Sequence, residues 1–147
     1  MKRVSMKLVL ALSLASPAAM AQMVNLAEVQ KMGAVKLSAE QLRGAAEGAR
    51  VSYRAENRWL LQWKNEPGGK LSASANPPAG SSPDVRQIYA KGTWNIQDDG
   101  QYCIEITRLR ATEKWCRFIY KAGSKFYSTV ETDGKAHEIK FRLAKKK

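Results

Sequence analysis

The sequence predicts a mainly β protein: an antiparallel barrel or curled sheet of about seven or eight strands, with one N-terminal helix against it after a cleaved signal peptide. Three observations predict this. From Arg50 onward, apolar and polar residues alternate with the period of half-buried strands. Turn residues (Pro67-Gly68-Gly69, Asp98-Asp99-Gly100, Gly123, Asp133-Gly134) interrupt the alternation, and strands spaced at about 8–12 residues read as a barrel or sandwich. Two cysteines, Cys103 and Cys116, fall in successive strand segments where one bond would staple them.

Residues 1–21 carry a signal-peptide pattern. Lys2, Arg3 and Lys7 form a basic start, Leu8–Ala15 is a short apolar run, and Pro17 ends it. Ala19-Met20-Ala21 offers small residues where a signal peptidase reads, with cleavage before Gln22. The run is shorter than the roughly 20 apolar residues of a membrane span, and no cysteine follows the cut to carry a lipid. The remainder suits one domain, able to bury roughly two-thirds of its extended surface. The chain holds 25 Lys and Arg against 13 Asp and Glu, a net +12; the three cations of the signal leave +9 behind. Export makes a Cys103–Cys116 disulfide the default for the only two cysteines.

Residues 22–36 are weakly patterned, a linker or loose helix, with Gly33 against a long one. A single β-rich domain follows over 37–144. It starts on a helix: Ser38 is the N-cap, Gln41 completes a capping box, and Leu37 and Leu42 take the staple positions. Ala45, Ala46 and Ala49 extend the apolar stripe and Gly48 is the stop. So short a helix is marginal alone, so Leu42 is expected to dock on the sheet. Val51–Tyr53 begins the first strand of the sheet. Arg58–Lys64 places Trp59, Leu61 and Trp63 on one face, Asn65–Gly69 turns, and Lys70–Ser74 returns. Asn76–Arg86, with three prolines, is a loop, either a crossover or a binding loop. A meander completes the domain: Ile88–Ile96 with Gly92 as a bulge, Tyr102–Thr107, Glu113–Tyr120, Phe126–Glu131 and His137–Leu143. Residues 145–147 are a basic tail.

The staple sets a register. If Cys103 faces Cys116, Glu105 stands opposite Lys114 and Ile104 opposite Trp115, both favourable cross-strand pairs. Tyr102, Ile104, Ile106, Trp115 and Ile119 then share the core face, interrupted by Arg117. Cys103, Glu105, Cys116, Phe118 and Tyr120 lie on the other.

No catalytic constellation accompanies this architecture. There is one histidine, His137, no nucleophile motif and no phosphate loop, and Asp98-Asp99 sits where turn formers belong. No metal, cofactor or enzymatic activity is expected; a hydrolase working through Asp99 or His137 is the lesser alternative. Positive charge is the strong feature, and basic surfaces attract polyanions. The densest knot is Arg108, Arg110 and Lys114, and with Arg86 of the loop these are the candidate binding residues. The aromatics among the charges (Trp59, Trp63, Trp94, Trp115) read as barrel filling.

Gly92-Thr93-Trp94, Asp99-Gly100, Cys103, Trp115-Cys116 and Gly123, after the LSAEQL helix start, resemble a family of small exported proteobacterial proteins of unknown function. The resemblance spans roughly Leu37–Tyr127. It implies a periplasmic or secreted β domain and carries over no catalytic residue. The function expected is a non-enzymatic binding module for an anionic envelope polymer, lipid headgroups or a protein partner, with nucleic acid the less expected polyanion. The alternative is a secreted inhibitor or host-directed factor acting by protein contact through the 76–86 loop.

Overall fold

The structure is a computed structural model, and it describes residues 23–108, 111–129 and 134–142. The signal peptide, Leu109 and Arg110, the Asp133 side of the last turn and the basic tail lie outside the described residues.

Eight strands form a closed up-and-down barrel: β3 (Arg50–Arg54), β4 (Leu60–Asn65), β5 (Lys70–Asn76), β6 (Ile88–Ile96), β7 (Tyr102–Arg108), β8 (Ala111–Ala122), β9 (Lys125–Thr129) and β10 (Lys135–Arg142). Each pairs antiparallel with the next, and β10 closes on β3 through Lys140–Ser52, Phe141–Val51 and Arg142–Arg50. Closure satisfies ladder groups that an open sheet leaves bare. The β7–β8 register is the one the cysteines dictate: Cys103 faces Cys116, Ile104 faces Trp115 and Glu105 faces Lys114, with the disulfide bridging Cα atoms 4.0 Å apart.

Residues 23–36, read as a linker or loose helix, form a strap on the outer wall. β1 (Met23–Asn25) pairs with β10, α1 (Leu26–Lys31) follows, and β2 (Val35–Lys36) pairs with β8. The Asn25 side chain accepts from the Ala27 amide at 2.8 Å and caps α1. Val29, fully buried, packs on Phe118, Tyr120, Tyr127 and Ala136. Phe118 and Tyr120 thus lie opposite the main core, as the register demands, and the strap shields them from water.

Helix α2 (Ala39–Ala46) closes the lower end of the barrel. Its capping box is complete: Ser38 Oγ accepts from Gln41 N, and Gln41 Oε1 accepts from Ser38 N. Leu42, Ala46 and Ala49 are fully buried against Val51, Trp63, Leu71, Tyr102, Ile119, Ile139 and Phe141. Gly100, at φ +90°, lets the β6–β7 turn approach the helix start, where an added Cβ would meet Leu37 O at 3.4 Å. Arg43 donates to Asp98 at 2.6 Å, tying α2 to that turn, and Asp99 accepts from the Gln101 amide.

Three readings need correction. Asn65, assigned to a turn, ends β4 fully buried. Trp63 Nε1 donates to Tyr102 Oη at 2.6 Å, Tyr102 Oη donates to Asn65 Oδ1 at 2.7 Å, and Asn65 Nδ2 donates to Ala46 O at 2.9 Å. This chain joins the barrel axis to the end of α2. Trp59 is not among the barrel-filling side chains: Arg58 adopts φ +66°, which ends the alternation, and β4 begins at Leu60. Gly92 is no bulge. It sits in unbroken register between Leu71 and Ile106, where a Cβ would come within 1.9 Å of Glu105 O.

Candidate binding surfaces

The barrel end away from α2 is where a small barrel would hold a ligand. Its walls are Tyr53, Leu61, Ala73, Ala75, Ile88, Ala90 and Ile106, with Trp63 and Trp115 beneath. Tyr53 meets Trp63 edge-on at 6.0 Å and Trp63 meets Trp115 at 5.8 Å. The free space is about 10 Å³, room for about one water. Aromatic packing fills the interior.

Charges ring this mouth. Arg108 donates to Glu113 at 2.9 Å, both half-buried. The Arg117 guanidinium lies 4.9 Å from the Trp115 ring centroid, and its Nε is buried without a hydrogen-bond partner. The core-facing Arg117 is therefore held by an aromatic face. Tyr53 feels this cluster: burial raises its phenol pKa first, Glu113 adds to the rise, and Arg117 and Arg108 oppose it.

The predicted basic knot is divided between the two faces of the sheet. Arg108 turns to the mouth and Glu113. Lys114 turns outward and meets Glu105 at 3.4 Å. Arg86 stands exposed in the 77–87 connection, and Arg110 lies outside the described residues. Arg108 and Lys114 each have a carboxylate, so the knot is not one patch. His137 is half-buried in β10, in register with Met23 and Ser128. Among the described residues no three His, Cys, Asp or Glu side chains converge as a metal site would require, and no helix is long and apolar enough to cross a membrane.

A different basic surface emerges from the pairing. Following the register from β10 to β6, Arg142 stands beside Arg50, Arg50 beside Lys64, Lys64 beside Ser72 and Ser72 beside Lys91. These positions alternate with the buried Phe141, Val51, Trp63 and Leu71, so they project from the outer wall. Lys140, Arg54 and Lys70 share this face, and Ser52, Gln62, Ser74 and Thr93 fill the spaces between. Two carboxylates border this face: Glu66, 3.2 Å from Lys64 and from Ser72 Oγ, and Glu138 of β10, 3.2 Å from Lys125. Among the described residues, Arg50, Lys70, Lys91, Lys140 and Arg142 make no ion pair. The signal missed in the sequence was the outward phase of these cations, which alternation shows strand by strand but only the register brings together. A third feature is apolar: Val85, Ile88 and Tyr89 are exposed at the end of the 77–87 connection, Tyr89 at 75%.

Compared with family models, curated proteins and solved structures, the chain matches none.

Proposed function

We propose that the protein is an exported, non-enzymatic binding module for an anionic component of a bacterial cell envelope, working in the periplasm or outside the cell. The observation that carries this reading is the outer face over β10, β3, β4, β5 and β6, where seven cations (Arg142, Lys140, Arg50, Arg54, Lys64, Lys70, Lys91) stand against two carboxylates, Glu66 and Glu138, the second held by Lys125. The packed interior directs binding to this outer wall. The disulfide is compatible with an oxidising compartment, and the N-terminal signal pattern and the likeness to small exported proteobacterial proteins belong to the same reading.

The test is retention on isolated envelope fractions across a salt series. Retention should fall steeply between about 50 and 200 mM salt, as counter-ion release requires. No retention at low salt, or retention indifferent to salt, refutes the reading.

The exposed Val85, Ile88 and Tyr89 favour a second reading: an inhibitor or host-directed factor that docks on a protein through the 76–86 loop. Shortening the loop should then abolish partner capture while the barrel still folds; capture that survives the shortening refutes this alternative.

A further inference from the structure

We propose that the cationic line on the outer wall is a track for a linear anionic polymer, a chain of phosphodiester or carboxylate-bearing units wrapping across the strands. This rests on the reading above and names the form of the anionic partner.

Three features select a flexible chain over a lipid bilayer. The first is curvature. The line passes from Arg142 on β10 to Lys91 on β6, across four of the eight strand intervals of the barrel, so it spans half of the strand ring. A plane resting on a cylinder touches a narrow strip of it and leaves the ends of such an arc in water. A chain can follow it. Strand spacing of about 4.8 Å makes the arc about 19 Å long, and strand tilt turns it into a shallow helix around the wall.

The second is composition. Surface membrane binding combines cations with apolar side chains that enter the acyl boundary. Ser52, Gln62, Ser72, Ser74 and Thr93 lie between these cations, and their hydroxyl and amide groups match the oxygens of phosphate, carboxylate and sugar. The apolar side chains of this face, Tyr89 beside Ser74 and the half-buried Leu60 beside Arg54, stand toward the mouth end rather than along the Arg142–Lys91 line.

The third is charge pairing. Elsewhere on the surface Arg43, Arg108, Lys114 and Lys125 each meet a carboxylate, while Lys36 lies over Phe118 and Lys121 over Phe126. Along the line only Lys64 meets a carboxylate. The positive field along the line is therefore little neutralised.

The experiment uses the purified protein with three probes: inorganic polyphosphate of graded length, polygalacturonate, and vesicles of phosphatidylglycerol and phosphatidylcholine at matched anion concentration. Both polymers should bind, with affinity rising with length until one chain covers the line. The paired change Arg50→Ser and Lys91→Ser should lower the slope of log affinity against log salt by about 1.4, taking about 0.7 for each cation removed. The paired change Lys31→Ser and Lys121→Ser should leave that slope unchanged. All four positions are exposed, so circular dichroism should show an intact barrel in both variants. Vesicles that hold the protein at salt concentrations where the polymers release it overturn the track and keep the anionic-envelope reading. Equal loss of slope in both variants also overturns the track, because binding is then diffuse. Absence of binding to all three probes at about 50 mM salt overturns the envelope reading with it.

Discussion

Asn65 joins three parts of the protein that are distant in sequence. Its side chain accepts from Tyr102 and donates to Ala46 O, and its backbone pairs with Gly48 and Ala49. Replacing Asn65 with Ala leaves the buried Tyr102 hydroxyl, which still accepts from Trp63, with no acceptor for its own proton, and takes from Ala46 O one of its two donors, the Ala49 amide remaining. The expected loss is about 2–3 kcal/mol in urea unfolding, against less than about 0.5 kcal/mol for Ala at the exposed Asn95. Gly92→Ala drives a methyl into the neighbouring strand's backbone and should cost about 1–3 kcal/mol or more by the same measurement. Tyr102 gives a pH signature. Burial, partly offset by its hydrogen bonds to Trp63 and Asn65, pushes its phenol well above the ordinary value of 10.0. The unfolded chain releases this proton at about pH 10 and the folded chain does not. Its contribution to stability is therefore complete below about pH 10 and is lost as pH rises above it, with a slope of up to about 1.4 kcal/mol per pH unit. Alkaline titration followed at the tyrosinate absorbance should show Tyr102 ionising in step with unfolding; ionisation within the native baseline refutes this.

Among the elements, the strap and the β7–β8 hairpin differ most in how far sequence reveals them. The hairpin was legible because a covalent staple, a charge pair and an apolar face all require one register. Reducing Cys103–Cys116, 13 residues apart in sequence, should cost about 3 kcal/mol in the chain-entropy model and appear as a lower melting temperature. The strap was not legible. Its helix is six residues long, too short to hold by itself, and its strands pair with β8 and β10, far along the chain. Phe118 and Tyr120, aromatics on the face away from the core, were the available sign that something must cover them. Val29→Asp should release the strap while the barrel persists: amide exchange over 24–36 should quicken, with protection retained in β4 to β7.

For the whole molecule, the architecture followed from alternation and turn spacing, both visible in one dimension. The candidate binding surface did not. Arg108, Arg110 and Lys114 look concentrated in sequence, yet alternation sends Arg108 and Lys114 to opposite faces, each beside a glutamate. Arg142, Arg50, Lys64 and Lys91 look scattered, and strand register aligns them. Charge density along a β chain is therefore a poor guide to charge density on its surface until pairing is known.

The strap ties the first described residues to the last strand: Met23 pairs with His137, and the Leu26 amide donates to Gly134 O at 2.8 Å. A chain made or threaded N-terminus first can seat β2 once β8 is made, but must carry β1 unpartnered until β10 arrives. A stalled or truncated product lacking β10 would have an unclosed barrel and an unpaired β1 together, so proteases that clear incomplete chains would find both defects on the same molecule. In this fold, completing the barrel and seating β1 are one event.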